Sequence, residues 1–377
     1  MLSLALTFLL FTTIIIPSPL VLILVISFLI AWFHLALSWL PILVYLAIAL
    51  WTLIFKFFCR VQVPVPWPWR EGLALVAGLL IGWLARPNPL GAFKLAYIQI
   101  IQLFIEKYHG TPLQFGTEML RFSWDTFYYQ LWPFGLLFLT AVVFWLTRLF
   151  SRKQPLNQST IIRQLSSLTL SLLFLYLTLF VAIRSLEVFT VFAVTFVAVT
   201  AREFFKTDNR YLKILAIIFI LIQVWNTMPM FNFYLSRAHD PNLFKDSATW
   251  LREHSKPDSI VFNPYWDRFG QLFFWNQQNY YINGMDPIFE YAYDPKLYWK
   301  THFYATDVAS EFTCGAVACT KEEVEPTDKV LRDDFRAAYV FLDKERGHNF
   351  YDYLNNNSTY KKTFETEKEV IFQIKPK

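Results

Sequence analysis

The first 232 residues of this chain are almost continuously apolar, and the remaining 145 are polar with charges of both signs. Two parts so different cannot share one solvent, and this constrains the fold more than any other feature. Residues 1–234 carry 16 Lys and Arg against 7 Asp and Glu, and residues 235–377 carry 18 against 22. The formal +5 therefore divides into +9 (16 − 7) on the apolar part and −4 (18 − 22) on the polar part. A chain of this kind is expected to be an α-helical membrane bundle (1–234) followed by a small α/β domain (235–377).

A transmembrane helix needs about 20 apolar residues. Eight runs qualify or nearly so: 2–16, 20–37, 39–58, 69–85, 131–150, 161–183, 186–205 and 212–231, giving an expectation of seven or eight spans. The first is short, but it lacks the basic start and small-residue cleavage site of a signal peptide. The run from Leu20 to Phe58 is too long for one span, and Pro41, which suits a first helical turn, puts its break near His34–Pro41.

Basic residues sort by loop. Lys56, Arg60 and Arg70, then Arg148, Arg152, Lys153 and Arg163, then Arg202, Lys206, Arg210 and Lys213 fall in three short loops. The alternate loops hold Arg86, Lys94, Lys107, Arg121 and Arg184. The positive-inside rule makes the first set cytoplasmic and places residues 86–125, the turn at Arg184 and everything after residue 234 outside the cytoplasm. It also accounts for the pI of about 8.9 without a nucleic-acid partner. Within 86–125, apolar residues recur at helical spacing from Phe93 to Ile105, with Lys94, Gln99, Gln102 and Glu106 between them. This reads either as an interfacial amphipathic helix or as a helix packed over the mouth of the bundle.

In the polar part, helices are expected from Asp240 through His254, over Pro295–Phe303, Thr327–Phe335 and Asn349–Leu354. Ser259–Asn263 and Ala337–Leu342 read as strands, Gln271–Trp275 and Tyr280–Ile282 as strands or buried runs, and Tyr360–Phe364 with Glu369–Ile374 as a closing hairpin. Asp286-Pro and Asp294-Pro mark turns. Alternating strands and helices favour an α/β domain.

No phosphate-binding loop, dinucleotide fingerprint, nucleophile elbow or zinc spacing occurs. Cys314 and Cys319 either bridge locally or stand as free thiols; Cys59 falls in a span. Arg184-Ser-Leu-Glu187 sits between two apolar runs. Its guanidinium is suited to a lipid phosphate, and the plain alternative is a hairpin turn with a snorkelling arginine. From Phe262 to Pro287 aromatic residues interleave with Asp267, Arg268, Asn276, Gln277, Asn279, Asn283 and Asp286. Rings beside planar amides and carboxylates suit a sugar, and equally suit a packed core with polar turns. Asp267 and Asp286 also offer two carboxylates to a divalent cation, though no metal-ligand set is evident.

Trp266-Asp267, Leu272-Phe-Phe274, the Asn276–Asn279 turn and Gly284-Met-Asp-Pro287 resemble the C-terminal aqueous domain of bacterial membrane glycosyltransferases of the GT-C superfamily, the type that takes mannose or arabinose from a lipid-linked donor. Arg86-Pro-Asn-Pro89, Arg184-Ser-Leu-Glu187 and Phe335-Arg-Ala-Ala-Tyr-Val-Phe341 add to the resemblance, which covers roughly residues 70–377. It implies a polyprenyl-phosphate sugar donor at the outer leaflet, with Arg184 on its phosphate and Glu187 orienting it. It also implies an acceptor side shaped by Trp266, Asp267, Asn276 and Asp286, the acceptor being a glycan, lipid or protein. Such enzymes take the acceptor proton with a carboxylate just after their first span. Residues 1–69 hold no Asp or Glu, so no catalytic base is assigned. Either the N-terminal catalytic region is missing from this chain, or the protein is a non-catalytic scaffold or sugar-binding subunit that partners an active transferase. A transporter is disfavoured, because no span carries the ionisable residues of an ion path.

Overall fold

The computed structural model describes residues 2–15, 19–58, 68–114, 116, 119–120, 122–124, 132–150, 158–204, 210–236, 240 and 242–376. Cys59, Arg60, Arg121, Arg152, Lys153 and Lys206 lie outside these. The chain divides into two units, one of residues 1–101 and 117–237, the other of 102–116 and 238–377.

The first unit is helical: α1 (Leu2–Ile15), α2 (Leu20–Phe33), α3 (Leu40–Phe58), α4 (Trp69–Leu84), α5 (Pro89–Tyr97), α7 (Trp132–Phe150), α8 (Gln158–Phe180), α9 (Ser185–Phe204) and α10 (Arg210–Ser236). Among the described residues, Leu35–Phe57, Ser159–Phe180 and Ser185–Arg202 are long and apolar enough to cross a membrane. The bent pair Trp69–Leu84 and Pro89–His109, whose arms meet at 110°, joins them if it counts as one span. For α1 and α2, length is what falls short of the expected spans. At 1.5 Å per residue, the 14 residues of α1 or α2 reach about 21 Å, short of a hydrocarbon layer of about 30 Å.

Side-chain contacts fix the helix directions. On α4, a Cβ added to Gly78 would collide with the Leu24 carbonyl oxygen, and one on Gly82 would lie 2.7 Å from the Phe28 carbonyl oxygen. Gly78-Leu-Leu-Ile-Gly82 is thus a small-residue stripe of the kind that lets helix backbones touch, and it lays α4 parallel to α2. Arg86, just past α4, completes the pairing by donating from Nη2 to the Ala31 and Trp32 carbonyls, 2.7 and 2.6 Å away, which α2 leaves unsatisfied at its end. Trp39 meets the ring of Phe174, and Ser166 the Ala47 carbonyl, so α3 and α8 are antiparallel. Gln164 meets Thr200, and Phe174 meets Phe192, so α8 and α9 are antiparallel. Phe134 packs on Phe189 and Trp145 on Phe196, so α7 follows α9. The break between α2 and α3 falls at His34–Trp39, with Pro41 in the first turn of α3.

The second unit begins with α6 (Leu103–His109), so the amphipathic segment expected as one piece is shared between the units through a π-helical turn at Ile98–Gln102. Its sheet has the order β2-β1-β5-β7-β6, from β1 (Ile260–Phe262), β2 (Tyr280–Tyr281), β5 (Tyr339–Asp343), β6 (Tyr360–Glu365) and β7 (Glu369–Ile374). β1 pairs parallel with β2 and β5, while β7 pairs antiparallel with β5 and β6. All five residues of β5 are buried, as in a central strand covered on both faces. Alternation assigns the faces. Val340 and Leu342 join Phe262, Phe350 and Phe372 in one core, while Tyr339 and Phe341 join Val261, Leu251 and Leu272 in the other. Helices α11 (Lys245–His254) and α12 (Phe269–Trp275) cover the second face; α14 (Pro295–Ala305) and α15 (His348–Asn356) contribute to the first. α13 (Pro287–Tyr293) precedes α14, and a separate hairpin joins β3 (Phe312–Cys314) to β4 (Val324–Pro326).

Gln271–Trp275 is helical rather than extended. The 3₁₀ turn Trp266–Arg268 runs straight into it and turns Leu272 inward, while Phe273 and Phe274 face out.

The glycine stripe makes a direct prediction. Helix propensity alone favours Gly→Ala by about 1 kcal/mol. Gly78→Ala and Gly82→Ala should nevertheless lower the thermal unfolding midpoint of the purified protein, because overpacking costs roughly 1–3 kcal/mol. Gly270→Ala, where nothing lies within 4 Å of the added carbon, should leave the midpoint unchanged or raise it.

Candidate functional site

In the helical unit the contacts above bring the ends of α2, α4 and α8 and the starts of α3 and α9 to one end. Arg184 and Glu187 are there, both exposed, in the tight turn from α8 into α9. Their charges both act on the imidazole of His34, which lies in the α2–α3 break. Three buried polar atoms near this end have no hydrogen-bond partner among the described residues: His34 Nδ1, Trp83 Nε1 and Arg86 Nε. Unsatisfied buried donors and acceptors are uncommon; in this unit Ser27 Oγ, within α2, and Arg163 Nε, toward the opposite ends, are the others among the described residues. Lys56, Arg70, Arg148, Arg163 and Arg202 lie toward the opposite helix ends. His34 was not singled out from sequence. Its signal was a lone ionisable side chain at the break of a 40-residue apolar run.

In the C-terminal unit, the residues read from sequence as an acceptor surface are separated. Asp267 holds Arg346 through two bonds of 2.9 Å, one to each carboxylate oxygen. The next residue, Arg268, is buried and pairs with buried Asp343 at 3.1 Å. Trp266-Asp267-Arg268 is therefore a clamp that fastens the chain after β1 to the loop after β5. Tyr265 is buried beside it, under the Arg346 guanidinium, and burial pushes its phenol pKa up. Gly347 permits this approach, since a Cβ there would stand 2.5 Å from the Tyr265 hydroxyl. Asn276 is buried in a different network, donating to Asn279 Oδ1 at 2.6 Å and accepting from the Gln278 amide at 3.0 Å. Asp286 is half-buried at the start of α13. Asp267 and Asp286 do not build a cation site. Among the described residues no three His, Cys, Asp or Glu side chains gather to hold a metal ion.

A titratable cluster that the sequence reading did not pick out sits on α13 and α14. Asp294 ends α13 and caps α14, accepting from the Lys296 and Leu297 amides, with Pro295 at the first helical position. The chain therefore folds back sharply and lays α13 on α14. Tyr298, Thr301 and His302 fall at i, i+3 and i+4 of α14 and share a face. Thr301 Oγ1 donates to Glu290 Oε1 of α13 at 2.7 Å. Desolvation raises the Glu290 pKa to about 7, against the smaller opposing effect of the Thr301 hydrogen bond. Burial lowers the pKa of His302, whose Nδ1 lies 3.4 Å from the Tyr298 hydroxyl. That hydroxyl also accepts from the Gln114 amide at 3.1 Å, and Glu106 of α6 acts on Tyr291. The rings of Tyr291, Tyr298 and Trp299 meet nearly at right angles. Lys300, on the same helix, is committed elsewhere. Desolvation alone would lower its pKa, but Asp334 and Glu325, each 2.6 Å away, hold it above the usual value.

A disulfide joins Cys314 to Cys319, with Cα atoms 6.2 Å apart, and closes a four-residue loop beyond β3. Against known proteins, no family model matches the chain and no curated protein matches it.

Two measurements check this geometry. Removing one partner of a buried ion pair leaves the other charge uncompensated, at a cost of about 3–5 kcal/mol. Asp343→Ala should therefore destabilise the protein by that order, and Asp267→Ala by about 1 kcal/mol or less, as for an exposed pair. Glu290 gives a pH signature. Its folded pKa lies above that of the unfolded chain, so the folded state binds the extra proton between pH 4.5 and about 7 and loses stability as pH rises through that window. Glu290→Gln should raise the unfolding free energy, measured by denaturant titration, by an amount that is small at pH 4.5 and reaches roughly 3 kcal/mol above pH 7.

Proposed function

We propose that this chain is a membrane-embedded, GT-C-like glycosyltransferase component that handles a polyprenyl-phosphate sugar at the outer leaflet. In this reading the seven or eight apolar runs are seated in the bilayer, and the C-terminal α/β unit lies outside the cytoplasm. The observation that carries it is the exposed Arg184–Glu187 turn beside His34, at the helix ends opposite the basic loops. A planar guanidinium at the membrane edge is suited to bidentate contact with a phosphate, and Glu187 one turn later orients it. The disulfide supports an extracytoplasmic C-terminal unit, because such bonds persist in oxidising compartments. The apolar residues left exposed along α5 and α6, including Leu90, Phe93, Ile101, Phe104 and Tyr108, suit a helix lying in the interface.

The second reading is a non-catalytic scaffold or sugar-binding subunit that partners an active transferase. It is favoured by one specific observation: Asp267 and Asn276, which a GT-C-like acceptor side would present, are spent on internal hydrogen bonds.

The two readings separate in one assay. Purified protein in lipid nanodiscs is titrated with polyprenyl-phosphate and with a polyprenyl-phosphate sugar, and turnover is followed with and without candidate acceptors. Donor binding that weakens at least tenfold in Arg184→Ala and Glu187→Ala supports the donor site. Turnover then identifies an enzyme, and binding without turnover a subunit. Unchanged binding in both variants overturns the donor-site proposal.

A further inference from the structure

The α13–α14 cluster bears on what the C-terminal unit holds. Buried Asp343 is neutralised by Arg268, and buried Lys300 by Glu325 and Asp334. Among the described residues buried Glu369 has no cation, and its Oε2 is sealed without a partner; nor is half-buried Glu290 neutralised. Its hydrogen-bond partner among the described residues is the Thr301 hydroxyl, on Oε1, and no cation pairs with it there. Oε2 is not among the sealed polar atoms that lack a partner, so it is open to what approaches α13. A fold gains little from a desolvated carboxylate with a single hydroxyl partner. A ligand that donates hydroxyls gains a fixed, strong acceptor.

The surroundings are of the same kind. Tyr291, next to Glu290, is half-buried and stands at 88° to Tyr298 and 85° to Trp299. Those two rings are buried and give Tyr291 a rigid backing. His302 is half-buried, and burial lowers its pKa; the neutral ring that burial favours has one nitrogen to donate and one to accept. Glu106, fixed by Thr111 at 2.7 Å, adds a second carboxylate near Tyr291. A partly open ring next to a carboxylate, backed by rings that also pack on an imidazole, matches a sugar, which offers an apolar C–H face and a rim of hydroxyls.

We propose that Glu290, Tyr291 and His302, with Thr301 holding the carboxylate, form a binding site for a pyranose or furanose ring on the C-terminal unit. The choice of a sugar rests on the glycosyltransferase-like reading above; the site itself is distinct from Arg184 and Glu187. The ionised carboxylate is the better acceptor, so binding strengthens as pH rises through 7. Of the other titratable groups, Tyr298 feels the Glu290 charge, Tyr291 follows Glu290 on α13 and feels Glu106, and His302 follows Thr301 on α14. Lys300 is held by its own carboxylates, and Lys296 is exposed at the start of α14.

The test uses the full chain in lipid nanodiscs, which avoid glycoside detergents. It is titrated with methyl α-D-mannopyranoside, methyl β-D-glucopyranoside and methyl α-D-arabinofuranoside, followed by saturation-transfer NMR and calorimetry. At least one glycoside should bind the unaltered protein, and its affinity should fall at least tenfold in Glu290→Gln and in Tyr291→Ala. Affinity should rise between pH 5.5 and 8.5 in the unaltered protein and lose that slope in Glu290→Gln. If Tyr291→Ala fails to fold, Glu290→Gln, which gains stability, carries the test. No binding of any of the three, or equal affinity in a folded Glu290→Gln, overturns the proposal. No lipid-linked donor is present, so failure of the donor site leaves this outcome unaffected.

Discussion

The contact of two glycines with a neighbouring backbone organises the helical unit. Because Gly78 and Gly82 carry no side chain, α4 lies directly on α2, and Arg86 arrives where α2 runs out of hydrogen-bond donors. The last carbonyls of α2 are then satisfied by a side chain rather than by another turn of helix. That allows the chain to break at His34 and return as α3. The polar end of the unit follows from this break. With larger residues in the stripe, α4 would move off α2 and Arg86 would lose its carbonyls.

The C-terminal unit is governed by how it disposes of charge. Arg268 and Asp343 neutralise each other at the end of the central strand β5, Asp267 and Arg346 do so at the surface, and Lys300 is shared by two carboxylates. These pairs tie together segments far apart in sequence, such as the turn after β1 and the loop after β5. Glu290 departs from these pairs, having a hydroxyl where they have an opposite charge, and buried Glu369 likewise has Ser247 beside it rather than a cation.

Much of this was legible in the sequence. The break before Pro41, the Asp286-Pro and Asp294-Pro turns, the apolar run of β5 and the closing hairpin all carry local signals, in proline geometry or strand-like apolar composition. What escaped depends on contacts between distant segments. Gln271–Trp275 has strand-like aromatic composition, yet the preceding turn, anchored by Arg268 on Asp343, feeds it into a helix. Asp267 and Asn276 have the composition of a sugar site, and distant partners consume them. Glu290 has no motif, and its environment exists only once α13 folds back on α14. The Gly78–Gly82 spacing was present in the sequence, but its role required the partner helix.

In the proposed reading, the polar helix ends and the C-terminal unit both lie on the extracytoplasmic side, opposite the basic loops. Cysteine labelling tests this most directly. With Cys59, Cys314 and Cys319 replaced by Ser, single cysteines at Ser358 in the C-terminal unit and at Gln154 in a basic loop are exposed to a membrane-impermeant maleimide in spheroplasts. The account predicts that Ser358→Cys is labelled in sealed cells and Gln154→Cys only after lysis. Labelling of Gln154→Cys in sealed cells, with Ser358→Cys protected until lysis, would contradict it.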